Sequence, residues 1–159
     1  MTITLYCIGK LKEHYWKDAV EEYRKRIAAY ASIEIVEFPD YPTPAGASLA
    51  EEEAIKEKEG KAVLDKLKPS DFLVTLDLGK KEMDSVKFAE VLQGYFEKGG
   101  AKVNFVIGGS LGLSESLKKR ANESLTLSLL TFPHQLTRVI LLEQIYRAFR
   151  IINHQPYHK

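Results

Sequence analysis

Val103-Asn104-Phe105-Val106-Ile107-Gly108-Gly109-Ser110-Leu111-Gly112 is the stretch on which the fold turns. Val103–Ile107 is apolar and rich in β-branched and aromatic residues, the composition of a strand covered on both faces. It exits through glycines, and Ser114–Ala121 then reads as a short helix. Glu115 stands near the start of that helix and Lys118, Lys119 and Arg120 near its end, charges that complement the helix dipole. A strand leaving through a glycine turn into a helix is one unit of an α/β fold.

The same alternation extends in both directions. Ile3–Ile8 is a strand closed by Gly9, and Glu13 to about Tyr30 carries apolar residues at helical spacing. Ile33–Phe38 is a second strand, stopped by Pro39. Tyr41–Gly46 holds two prolines and is a loop. Ser48, with Glu51 three residues on, forms a capping box for a highly charged helix reaching about Leu67, expected to be mostly solvated. Phe72–Leu78 is a third strand, Asp84–Glu97 a helix and Leu125–Leu130 a fifth strand. A long helix runs from about Gln135 to Ile152 and a polar tail follows. Strands alternating with helices predict a mainly parallel sheet with flanking helices, in one domain spanning 1–159. Ligands of such sheets sit beyond the carboxyl ends of the strands. That directs attention to three loops: Leu76–Lys81, Gly108–Leu113 and Leu127–His134.

Composition removes several classes. With 45% hydrophobic and 28% charged residues the chain builds a core and is not disordered. One cysteine, Cys7, excludes an internal disulfide and suits a reducing compartment. The start is too short and uncharged for a signal peptide, and the longest aliphatic run, Val139–Leu142, falls far below the ~18 residues that span a bilayer. A cytoplasmic protein without a membrane segment is expected. The net charge of +1 argues against a broadly cationic surface, but it is unevenly spread. Residues 1–100 hold 15 Lys+Arg and 19 Asp+Glu, a net of −4; residues 101–159 hold 8 and 3, a net of +5. A basic C-terminal part suggests one face meeting an anion, although an uneven solvated surface gives the same count.

The local chemistry is mostly two-sided. Gly108–Gly112 matches neither a dinucleotide fingerprint nor a P-loop, so a plain tight turn competes with a ligand loop. Leu127–Pro133 reads as a core strand and its exit, or as the lining of an adenine pocket. Glu143, Arg147, Arg150 and His154 share one helical face if the last helix extends that far. Arginine forks hold phosphate or carbonyl oxygens, and Tyr or His rings stack on bases. A disordered tail is the bland alternative. No metal site is expected: Pro156 separates His154 from His158 and no nearby carboxylate or thiol completes a set.

Four segments together go further. Phe105–Leu113, Leu127–Arg138, Leu142–Ala148 and Pro156-Tyr157-His158-Lys159 resemble the large-subunit rRNA methyltransferase H family of small SPOUT-class enzymes, and the likeness runs the length of the chain. It implies a C-terminal trefoil knot, a homodimer, and methylation of N3 of a pseudouridine in 23S rRNA within the assembled ribosome. It also implies S-adenosylmethionine bound by Leu76, Gly108, Leu127, Ser128, Leu129, Leu130, Thr131 and Phe132. Histidine titrates near neutrality, which makes His154 or His158 the candidate base. Arg138, Arg147 or Arg150 is the candidate for steadying the developing anion. Arg147, Arg150, Tyr157 and Lys159 would meet the RNA. Other readings are a non-enzymatic ribosome-binding module, a flavodoxin-like phosphate binder, and a sibling SPOUT enzyme acting on tRNA.

Overall fold

In the computed structural model, which describes residues 1–79 and 81–159, the sequence alternation becomes a five-stranded sheet with every pairing parallel. In chain order the elements are β1 (Thr2–Ile8), α1 (His14–Ile27), β2 (Ser32–Phe38), α2 (Leu49–Lys66), β3 (Leu73–Leu76) and α3 (Ser85–Gly99). Then come β4 (Lys102–Ile107), α4 (Glu115–Arg120), β5 (Glu123–Leu125) and α5 (His134–Ile152). The strand order is β2-β1-β4-β3-β5. A flavodoxin-like sheet would run 2-1-3-4-5, so that alternative loses its architecture.

Side chains alternate across a strand, and here both faces are covered. Ile3, Leu5 and Cys7 of β1 pack with Val103, Phe105 and Ile107 of β4 under α1, α3 and α5. Tyr6, Ile8, Leu73 and Val106 face the other way, under Val63 of α2 and Leu117 of α4. Cys7 is wholly buried, and desolvation pushes its thiol up to about 12, against a smaller opposing pull from Arg138. It is a packed apolar residue and not a nucleophile.

Two strands are shorter than the sequence suggests. β3 covers Leu73–Leu76 and not Phe72–Leu78; β5 covers Glu123–Leu125 and not Leu125–Leu130. Their pairing ends together at Leu76 and Leu125. Beyond it Asp77-Leu78-Gly79 turns away, with Gly79 at φ +85, so the chain after Leu125 has no neighbouring strand to continue on. Thr126 Oγ1 donates to the Asp77 carbonyl, and residues 126–133 leave the sheet as a loop. Leu129 and Leu130, expected in a core strand, are 64% and 71% exposed.

Candidate functional site

Because β3, β4 and β5 run parallel, their carboxyl ends and exit loops gather at one edge. They enclose a cleft of about 720 Å³ lined by Leu76, Gly108, Leu127, Leu130 and Phe132, with Asp77 and Lys118 among its charged residues. This is the range of small-molecule sites. All three loops singled out in the sequence therefore meet, although Lys80 of the first lies outside the described residues.

The glycine loop serves as a turn and as a wall. Gly112 has φ +91 and its N–H donates to the Gly109 carbonyl at 3.0 Å. A Cβ on Gly108 would come within 2.9 Å of the Gly112 carbonyl carbon, so the loop closes this tightly only around glycine. The opposite wall offers backbone. Within Leu127–Phe132 only the Leu130 N–H donates to a described residue, the Ser128 hydroxyl at 3.0 Å. The other N–H groups of this segment make no hydrogen bond to a described residue. Ser128 and Thr131 line the cleft with their neighbours; Leu129 does not. The chain bends at 127, 129 and 130, and Leu129 is exposed to solvent.

α5 begins at the rim. His134 lines this cleft and also a second cavity of about 470 Å³ with Lys10, Lys12 and Asp40. Its ring packs against Gly9, and burial, helped by the Arg138 charge, lowers its pKa, which favours the neutral ring. One turn on, Arg138 is wholly buried. It donates to Glu37 Oε2 and to the Gly9 carbonyl, both at 2.7 Å, while the Leu11 N–H donates to the same Glu37 oxygen at 2.9 Å. The expectation that Arg138 steadies a substrate anion is corrected by this geometry. Its charged fork ties the ends of β1 and β2 to α5 and does not line the cleft.

The other predicted residues lie at the far end of α5. Arg147 donates to Glu143 Oε1 at 2.5 and 3.0 Å, stacks on the Tyr157 ring at 4.7 Å and approaches His158 Nδ1 at 3.2 Å. The Tyr157 hydroxyl donates to Glu143 at 3.1 Å. Arg150 turns elsewhere, to the Pro156 carbonyl at 2.7 Å and the Tyr30 hydroxyl at 3.1 Å. The tail is thus bonded back onto α5. His154 does not join the Glu143–Arg147 face, because the helix ends at Ile152 and His154 takes φ +54 to turn the chain. His154, His158 and Lys159 are exposed. Thirteen residues separate His134 from Arg147, about 20 Å along the helix axis. The cleft and the tail cluster are therefore two groups within one chain.

Sequence reasoning passed over Asp77, Lys118 and His134 as cleft residues. The first and last stand in loops already marked, where a carboxylate and an imidazole beside strand ends were the available signal. In the sequence Lys118 carries only the signal of a helix-dipole charge.

The family profile described as Predicted SPOUT methyltransferase matches residues 1–158. The chain is 52% identical over 159 residues to the ribosomal RNA large subunit methyltransferase H of Clostridium beijerinckii, and the match covers 100% of both chains. It is 51% identical, with the same coverage, to the protein of that name from Clostridium acetobutylicum. Among solved structures, the SpoU methyltransferase AviRb from Streptomyces viridochromogenes matches at TM-score 0.45 and 12% identity over 97% of this chain and 61% of that one. A putative methylase family protein from Neisseria gonorrhoeae matches at TM-score 0.46 and 13% identity over 92% and 81%.

Proposed function

The chain belongs to the SPOUT methyltransferase family, and from that premise we propose that it methylates N3 of a pseudouridine in 23S rRNA of the assembled ribosome, acting in the cytoplasm as a knotted, single-domain homodimer with S-adenosylmethionine as methyl donor. The observation that carries the reading is the match to proteins named for large-subunit rRNA methylation. At 52% identity it takes in every residue, so the cleft loops and the tail cluster fall within it together.

The cleft suits the donor. Leu76, Leu127 and Phe132 give apolar walls, Gly108 lets the glycine loop fold tightly at the cleft's edge, and the N–H groups of the 127–132 loop match the polar edge of an adenine ring. The donor supplies a methyl group already activated on sulfonium. What remains for the protein is alignment and the handling of one proton, since the ring N3–H is a weak acid and N3 a poor nucleophile until that proton leaves.

The tail cluster is equipped for this. Arg147 and Arg150 offer guanidinium forks to the carbonyl oxygens beside N3, where charge builds as the proton departs. Arg147 Nη1 lies 3.2 Å from His158 Nδ1, which sets the imidazole beside the guanidinium. When Arg147 turns to the substrate, Nδ1 becomes free to take the N3 proton. His154, exposed at the helix end, is the second candidate acceptor. Tyr157 stacks beside Arg147, and Lys159 extends the basic surface toward RNA phosphates.

Since cleft and tail cluster are separated along α5, a site holding both needs the tail of a second copy, which is the motive for the homodimer. The test is nucleoside mass spectrometry of 23S rRNA from cells lacking the gene. Loss of methylated pseudouridine, restored by this chain, is expected; an unchanged profile overturns the reading.

A further inference from the structure

We propose that Asp77 and Lys118, on the charged side of the cleft, form a reciprocal pair that takes the zwitterionic amino-acid end of the methyl donor, Lys118 its carboxylate and Asp77 its ammonium. This rests on the reading that the cleft binds S-adenosylmethionine.

The pair has its backbone fixed and its charges only partly used. Asp77, just past the end of β3, is tied to the exit of β5: its N–H donates to the Leu125 carbonyl at 3.0 Å, and its own carbonyl accepts from Thr126 Oγ1 at 2.8 Å. Lys118 follows the wholly buried Leu117 in α4, a helix capped by Ser114. Both residues line the cleft, and their side chains keep partial exposure, 22% for Asp77 and 35% for Lys118. Asp77 Oδ1 and Lys118 Nζ are 4.0 Å apart, beyond hydrogen-bonding range, so each retains capacity for a third party. The second neighbour of Lys118, Glu115 at 3.7 Å, is 62% exposed and does not line the cleft. Among the described residues the other cleft lysine is Lys56, held by Glu53 at 2.5 Å.

A charge beside apolar walls is costly unless paired. An α-amino acid carries a cation and an anion on neighbouring atoms, and this wall presents the opposite charges at comparable spacing. A surface ion pair of no consequence is the competing view. Position separates the two, because both members face the cleft that the strand ends create.

Titration calorimetry on the full chain tests it with three ligands: S-adenosylmethionine, S-adenosylhomocysteine, and 5′-methylthioadenosine, which lacks the amino-acid end. Lys118→Met and Asp77→Asn should each weaken the first two about tenfold or more and leave methylthioadenosine within about twofold. Retained methylthioadenosine binding also shows that the variants fold. Lys118→Arg, which keeps the cation, should recover most of the loss. Equal loss of all three ligands in Lys118→Met, unrepaired in Lys118→Arg, overturns the proposal. So does weakening by Asp77→Asn of S-adenosylmethionine but not S-adenosylhomocysteine, which would put Asp77 beside the sulfonium. Absence of all binding by the unaltered chain sinks the cofactor reading itself, and the pair's role with it.

Discussion

Arg138 shows how one residue type can suggest catalysis and serve architecture. Its side chain is 1% exposed, and Glu37, its carboxylate partner among the described residues, is 33% exposed. The two ends of the pair are therefore unequal. Removing Glu37 leaves a buried guanidinium without its counter-charge, a change that costs on the order of 3–5 kcal/mol in buried pairs. Arg138→Met leaves behind a carboxylate that water can still reach, so Glu37→Leu is expected to destabilise more, as urea midpoints would register. The pH dependence has a definite sign. Burial raises the Glu37 pKa, but hydrogen bonds from Arg138 and the Leu11 N–H outweigh it and the net shift is downward. A depressed carboxylate contributes stability above its unfolded pKa of about 4.3 and loses it as pH falls through the folded value. The stability gap between the parent and Glu37→Gln should therefore be full at pH 7 and close in acid below about pH 4. A gap that persisted there would assign the effect to packing.

At the scale of elements, α2 is solvated along most of its length, as its run of charges suggests, but Glu59, Gly60 and Val63 form a buried stripe against the sheet and α4. Glu59 takes the Tyr41 N–H at 2.9 Å and so fastens the proline-rich loop to the helix. Gly60 marks the closest approach. A Cβ there would overlap Ser114 Oγ and sit 3.1 Å from Leu117 Cδ1. Ser114 Oγ is itself occupied, accepting the Leu117 N–H at 3.2 Å as the cap of α4. In an exposed helix Gly→Ala stabilises by about 1 kcal/mol. Here overpacking of about 1–3 kcal/mol opposes that gain, so Gly60→Ala should destabilise by about 1 kcal/mol and lower Tm. A raised Tm would show that α2 and α4 have room to part. The capping box at Ser48 and Glu51, by contrast, was legible because its signal lies within four residues. The fifth strand was not, because Leu127, Leu129 and Leu130 have strand composition and only the absence of a neighbouring strand makes them a loop.

For the whole molecule, the sequence conveyed that strands and helices alternate and that ligands gather at strand ends, since both follow from local periodicity. Strand order could not be read, because it depends on which distant segments pair. The separation of the cleft from the tail cluster was equally hidden: both belong to the last third of the sequence, and only the straight length of α5 holds them apart. That separation yields the sharpest prediction about assembly. Take one variant with a blocked cleft, Gly108→Trp, and another lacking residues 154–159, each inactive as a pure dimer. If each site joins the cleft of one copy to the tail of the other, a mixed dimer has one intact site and one doubly damaged site. Random mixing in equal amounts makes half the dimers mixed, so activity returns to about a quarter of the parent level. If cleft and tail act within one chain, every site in the mixed dimer carries one defect and nothing returns. Sedimentation supplies the companion reading, because a mass near twice 18.0 kDa is required before any exchange can occur. Ribosome methylation by co-refolded mixtures, compared with each variant refolded alone, decides between the two arrangements without depending on which histidine takes the proton.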